Sequence, residues 1–176
     1  MTGRGSARRV AAAALLAVLS VPLVGSTGLD NAFDARLLAA HNRERTAAGI
    51  QPLAWSDTLA ADAADWAETL ADMNDLEHAE DEDENDPQGE NLWLGTRASY
   101  SPEEMVGMWI EEKRHFRPGI FPNNSSTGNL EDIGHYTQLM WRDTAKVGCA
   151  KSGNEENEVL VCRYATAGNV IGERPF

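Results

Sequence analysis

The chain has 176 residues, with 28 acidic against 15 basic side chains and a formal net charge of −13. That balance excludes nucleic acid or an anionic membrane surface as a partner recruited by charge. The length suits one domain around a single hydrophobic core.

The N-terminus reads as a removable leader. Arg4, Arg8 and Arg9 precede the apolar stretch Val10 to Val24, and the small residues Gly25, Ser26 and Thr27 follow. This is the layout of a secretory signal peptide over residues 1–27, cut near Ser26 to Gly28. The apolar run of about 15 residues falls short of the roughly 20 that a spanning helix needs, so no transmembrane anchor is expected. Residues 28–176 then form the domain, secreted to the cell exterior and more acidic than the whole chain. In that oxidising setting the only two cysteines, Cys149 and Cys162, are expected to form one disulfide. A catalytic thiol would want an electropositive neighbourhood, which so acidic a chain does not offer.

Residues 30–48 are predicted as a first helix, with Phe33, Leu37, Leu38 and His41 on one face and Gly49 as the stop. Ser56 caps a second helix running to Met73, with Leu59, Ala63, Trp66, Leu70 and Met73 as its apolar stripe. The run Glu80 to Asp86 is too uniformly charged to pack and reads as a solvated loop. A calcium site there would lack the ligand spacing and mid-loop glycine of an EF-hand. Leu92 to Leu94 suggests a strand. Ser101, Pro102 and Glu104 open a third helix with a capping box, and Met105, Met108, Trp109, Glu112 and Phe116 share one of its faces. Residues 118–129 form a loop with overlapping glycosylation sequons at Asn123 and Asn124. A short helix is expected over 136–141, then strands over 147–151 and 159–164 joined by a polar turn. The natural packing is α+β: a three-layer α-β-α sandwich with a small, mostly antiparallel central sheet.

Four polar residues interrupt this pattern. His135 sits among apolar and aromatic neighbours and needs a polar partner or a metal. Glu112 lies on the core-facing side of the third helix, unless that helix is rotated enough to leave it at the surface. Glu90 stands where a loop becomes a strand, and there it is either a surface residue or part of a site. His78 follows the second helix, where it either interacts with the helix C-terminus or turns to a site. Two imidazoles with open positions suit zinc, and carboxylates can ligate it or orient its water. No His-Glu-x-x-His run is present, so any metal site must be assembled from distant segments.

The stretch Gly134-His135-Tyr136-Thr137-Gln138-Leu139-Met140-Trp141-Arg142-Asp143-Thr144 resembles the first signature of the CAP superfamily, which includes cysteine-rich secretory proteins, antigen 5 and plant pathogenesis-related proteins of class one. Val159 to Tyr164, followed by Gly168-Asn169-Val170, is similar to the second signature. His41-Asn42 with Arg45, and Gly89-Glu90-Asn91-Leu92, resemble two further family motifs. The resemblance runs from about Phe33 to Phe176. Thr166 departs from the second signature, and one cysteine pair stands where many relatives have three.

The resemblance implies an α-β-α sandwich with a central cleft, in which His78, Glu90, Glu112 and His135 form a tetrad. It implies that His78 and His135 can hold zinc or another divalent metal. It also implies a sterol, lipid or other small hydrophobic ligand in a separate groove, for which Trp109, Phe116, Ile120 and Phe121 are the candidate wall. The expected function is that of a secreted binding protein with a defence- or host-interaction role. The alternative is a metal-dependent, protease-like hydrolase using the same cleft, with Glu90 or Glu112 as base.

Overall fold

The computed structural model describes residues 1, 27–80 and 87–176. Residues 2–26 of the predicted leader lie outside the described residues. So does most of the acidic run, together with the calcium site weighed for it. In chain order the elements are α1 (Thr27–Ala47), β1 (Ala54–Trp55), α2 (Asp57–Met73), β2 (Gly89–Thr96), α3 (Pro102–Glu111) with a 3-10 turn (Glu112–Arg114), α4 (Gly134–Leu139), β3 (Lys146–Gly153) and β4 (Asn157–Ala165).

The four strands form one sheet in the order β1-β3-β4-β2. β4 pairs antiparallel with both β2 and β3, and two-residue β1 adds a parallel edge to β3. Strand alternation divides the sheet between two helical layers. Leu92, Val159 and Val161 face Ala63, Ala67 and Leu70 of α2. Trp93, Cys149, Leu160, Cys162 and Tyr164 face the opposite way, onto Leu37, Met105, Trp109 and Tyr136 of α1, α3 and α4. The expected three-layer α+β sandwich is thereby formed, with β2 at one edge of the sheet.

The caps read from sequence are present. The Ser56 side chain accepts from the Leu59 amide, and Ser101 and Glu104 complete a reciprocal capping box. The α2 stripe is rotated from expectation, however. Its buried residues are Leu59, Ala63, Ala67, Leu70 and Ala71, while Met73 is exposed. Small residues win because the helix lies directly on the sheet backbone. A Cβ added at Gly148 of β3 would sit 2.2 Å from the Ala60 nitrogen. Met108 is likewise exposed rather than core, and its sulfur accepts the Trp93 indole N–H at 3.1 Å. β1 was not anticipated, since two residues carry no periodicity. β2 is longer than the three residues expected and includes Glu90.

Cys149 and Cys162 are directly opposed on β3 and β4 and form the disulfide. Arg45 is fully buried near the end of α1. Its guanidinium donates to the carbonyls of Gln51, Leu139, Trp141 and Thr144 at 2.8–2.9 Å. It therefore satisfies the carbonyls at and just beyond the C-terminus of α4. Burial lowers its pKa to about 10. Asn42, one turn earlier, exchanges two hydrogen bonds with the Leu53 backbone and so fixes the entry into β1. No helix among the described residues is long and apolar enough to cross a membrane.

Candidate functional site

Glu90 lies at the start of β2, opposite Arg163 of β4. Its side chain is 8% exposed and its two oxygens are divided. Oε1 lies 2.6 Å from His78 Nδ1 and accepts the Ala79 amide at 3.3 Å. Oε2 lies 2.9 Å from Arg163 Nε, an ion contact without the alignment of a hydrogen bond. Asn74, in the left-handed region, closes α2 by donating to the Leu70 carbonyl. His78 is therefore free of any capping duty and turns to Glu90, with 68% of its side chain exposed. The hydrogen bond to Glu90 raises the His78 pKa, against partial loss of water and the nearby Arg163 charge.

The second pair forms across the sheet. α3 tightens into its 3-10 turn at Glu112. The Glu112 side chain then reaches the first turn of α4, where Oε1 lies 2.5 Å from His135 Nδ1 and Oε2 accepts the Tyr136 amide at 3.0 Å. Glu112 is 17% exposed and His135 34%. This resolves the sequence ambiguity: the carboxylate is tucked against the histidine rather than left at the surface. The His135 ring stacks on Trp109, with centroids 6.0 Å apart and an interplanar angle of 17°. Trp109 is itself fixed by donating to the Leu92 carbonyl.

Between the pairs stands Asn91, which alternation sends to the face opposite Glu90. Its amide donates to the His135 carbonyl at 3.0 Å and to the Tyr164 hydroxyl at 3.2 Å. The Tyr164 oxygen is 2.8 Å from Nε2 of His41, whose Nδ1 donates to the Leu37 carbonyl. Since Nδ1 faces a carbonyl it carries the proton, so Nε2 accepts from the tyrosine. Burial lowers the His41 pKa to about 4 and pushes the Tyr164 hydroxyl far above its ordinary range. A buried polar chain thus ties α1 to the backbone of His135.

The four tetrad residues therefore occur as two imidazole–carboxylate pairs, on opposite faces of one edge strand. Among the described residues, no group of three or more His, Cys, Asp or Glu side chains is gathered in a way that could hold a metal. Each pair nonetheless leaves one imidazole nitrogen open. The carboxylate takes Nδ1, and Nε2 of either ring makes no hydrogen bond to the described residues. An ionised carboxylate keeps the proton on Nδ1 and leaves the Nε2 lone pair for a ligand.

Of the four residues expected to line a hydrophobic groove, Trp109 and Phe116 pack in the same core cluster. Trp109 is buried between the His41 and His135 rings. Phe121 is buried with its ring edge-on to Trp141. Phe116 stacks on the C-terminal Phe176 with centroids 5.0 Å apart. Of the four, only Ile120 is exposed.

Sequence reasoning missed Arg163 as a partner of Glu90, and it missed the chain from Asn91 through Tyr164 to His41. A polar Asn91 next to Glu90 in a short strand was a usable signal, because alternation makes one of the two face inward. The Arg163 contact required the strand register.

The chain matches the family model described as cysteine-rich secretory protein family, CAP, over residues 38–164. It is 34% identical over 146 residues to pathogenesis-related protein PR-1 of Medicago truncatula, covering 82% of this chain and 79% of the relative. It is 36% identical over 140 residues to pathogenesis-related protein 1C of Nicotiana tabacum, covering 79% and 78%. Among solved structures, NaASP2 crystallised with Zn2+ aligns with a TM-score of 0.67 at 19% identity, over 81% of this chain and 83% of that one. Schistosoma mansoni venom allergen-like protein 4 aligns with a TM-score of 0.60 at 20% identity, over 82% and 93%. Likeness at that identity establishes the fold.

Proposed function

The chain belongs to the cysteine-rich secretory protein (CAP) family, and we propose that it is a secreted binding protein in which each of two carboxylate-held histidines offers a ligand position to a divalent metal such as zinc. The observation that carries this reading is the engagement of both Nδ1 atoms by carboxylates, which leaves Nε2 of His78 and His135 as ligand positions. A bound zinc would supply Lewis acidity at this site. Glu90 and Glu112 orient the rings and hold their protons on the nitrogen away from the metal position.

The same contacts favour binding over hydrolysis. A hydrolytic base needs a carboxylate oxygen free to accept a proton from water. Both oxygens of Glu112 accept N–H groups, and those of Glu90 are divided between His78 and Arg163.

For a sterol, lipid or other small apolar ligand, a different surface from the aromatic wall is supported. The loop at Phe121 is pinned to the C-terminal segment, through its amide to the Glu173 carbonyl and its carbonyl to the Gly172 amide. Ile120, Val170 and Ile171 stand exposed on these paired segments. Relatives named as pathogenesis-related support a defence or host-interaction role outside the cell.

Titrating purified protein with zinc by calorimetry, beside His78→Ala, His135→Ala and the double variant, tests the metal reading. Saturable binding that is lost in the double variant is expected. Equal binding by the double variant and the wild type overturns it. Turnover of a peptide or ester substrate that disappears with the metal would favour the hydrolase. Saturable binding of a sterol, weakened by Ile171→Glu, checks the apolar surface, and no binding at micromolar sterol overturns that part.

A further inference from the structure

At the far end of β2 from Glu90 and Asn91 lies a cavity of about 290 Å³, lined by Arg97, Ala98, Lys151, Ser152, Gly153 and Glu158. That volume is close to the lower end of the roughly 300–1,000 Å³ of ordinary ligand sites. Strand register explains the opening. Glu158 of β4 stands between two glycines, Gly95 of β2 and Gly153 of β3, which bring no side chains beside its carboxylate. At Gly95 the Trp93 ring closes over the strand, 2.4 Å from where a Cβ would stand, while Gly153 lines the cavity.

The Glu158 side chain is only 5% exposed. Its Oε2 accepts from Lys151 Nζ at 2.7 Å, but its buried Oε1 has no hydrogen-bond partner among the described residues. A buried carboxylate oxygen without a donor is costly, and a molecule in the cavity can supply one. Arg97 stands exposed on the same wall, with Nη1 donating to the Asn154 carbonyl at 2.5 Å. Its other N–H groups have no partner among the described residues. The arginine is carried on a built turn. Its backbone amide donates to the Glu156 carbonyl, and the Asn154 side chain accepts the amides of Glu156 and Asn157. Ala98 has a φ of 56°, a left-handed conformation that alanine seldom adopts and that costs about 1 kcal/mol or more. The lining carries two cations against one carboxylate, a local positive excess in a chain of net charge −13. A small anion is drawn to this spot and not to the acidic surface around it.

We propose that this cavity binds a small hydroxylated carboxylate with the chemistry of a monosaccharide acid. A ligand hydroxyl donates to Glu158 Oε1, and the ligand carboxylate takes the open donors of Arg97. An ammonium in place of the hydroxyl fits less well, because it would add a second cation beside Lys151. The site is independent of the metal reading above.

The test is calorimetric titration of three probes into the full mature protein: D-glucuronate, glucose, which keeps the hydroxyls without the acid, and cyclohexanecarboxylate, which keeps the ring and acid without the hydroxyls. Saturable binding of glucuronate is expected, with both analogues at least tenfold weaker, since each leaves one wall of the site unpaired. Arg97→Gln, at an exposed position that the fold does not depend on, should weaken glucuronate about three- to tenfold. Amide resonances of Gly95, Arg97, Ser152 and Gly153 should shift with glucuronate while that of Tyr136 stays in place. Absence of saturable glucuronate binding overturns the proposal, as does unchanged affinity in folded Arg97→Gln. Equal affinity for either analogue overturns the assignment of the ligand, and so does binding of a glucuronate polymer without binding of the free acid.

Discussion

Glu112 holds His135 twice, by the imidazole Nδ1 at 2.5 Å and through the backbone amide of the next residue, Tyr136, at 3.0 Å. One carboxylate thereby fixes both the ring and the first turn of the helix that carries it. The contact joins α3 to α4 and decides which imidazole nitrogen stays open.

Replacing Glu112 with Gln should lower zinc affinity by about 10- to 100-fold, the usual cost of removing a carboxylate behind a ligating imidazole. The shape of the side chain is kept, so the thermal midpoint should move far less than the affinity. Calorimetry on the folded variant checks this. Wild-type affinity in Glu112→Gln would mean that the carboxylate does not govern His135.

Two glycines should respond oppositely to a methyl group. At Gly148 a Cβ would stand 2.2 Å from the Ala60 nitrogen and 2.4 Å from the Ser56 carbonyl oxygen, both backbone atoms that cannot rotate aside. Gly148→Ala should therefore cost about 1–3 kcal/mol or more through overpacking. At Gly107, inside α3, a Cβ meets nothing within 4 Å. Gly107→Ala should stabilise by about 0.4–1 kcal/mol. Urea denaturation of both variants measures the contrast, and comparable destabilisation would show that the fit of α2 to the sheet is looser than described.

Arg45 should be among the most sensitive positions in the chain. Arg45→Met would take the guanidinium from four carbonyls, of which that of Trp141 alone keeps a loop donor, the Thr144 amide, at a cost of about 3 kcal/mol. That is a large part of the roughly 5–15 kcal/mol stability of an ordinary domain. Arg45→Lys should recover only part of it, because an ammonium does not reproduce the planar fork. Chemical denaturation midpoints settle the order, and a lysine variant as stable as wild type would contradict it.

Acid should weaken the fold through His41. The folded imidazole stays neutral down to about pH 4, whereas the unfolded one takes a proton near 6.5. Between those values the unfolded chain binds a proton that the folded chain refuses. Stability should therefore fall as pH drops from about 6.5 to about 4 and change no further from this group below that, a loss of about 3 kcal/mol. His78 acts in the opposite sense. Its raised pKa adds stability that is full at low pH and lost as pH rises through the folded value, and high exposure keeps that contribution small. Urea midpoints at pH 7 and pH 4.5 should diverge less in His41→Gln than in wild type. An identical divergence would rule His41 out as the source.

The helices were legible because their signals are local. Ser101, Pro102 and Glu104 state the start of α3 within one turn of chain, and the period of Leu37 and His41 sets the face of α1. The α2 face was misjudged because periodicity weighs Trp66 and Met73 as heavily as alanine. Close approach to a sheet at Gly148 favours Ala63 and Ala67 instead. The disulfide followed from there being only two cysteines, and the register of β3 and β4 supplied the reason it closes.

By itself the sequence determined the fold class and the disulfide, since these are carried by short motifs, counts and caps, and it singled out the four histidine and glutamate positions as candidates. The tertiary structure decided which glutamate holds which histidine, and that among the described residues Arg163 contacts Glu90 and not Glu112. It also decided which rings Trp109, Phe116 and Phe121 pack against. Those outcomes depend on strand register and on alternation across the edge strand β2, relations between residues tens of positions apart that no local pattern encodes.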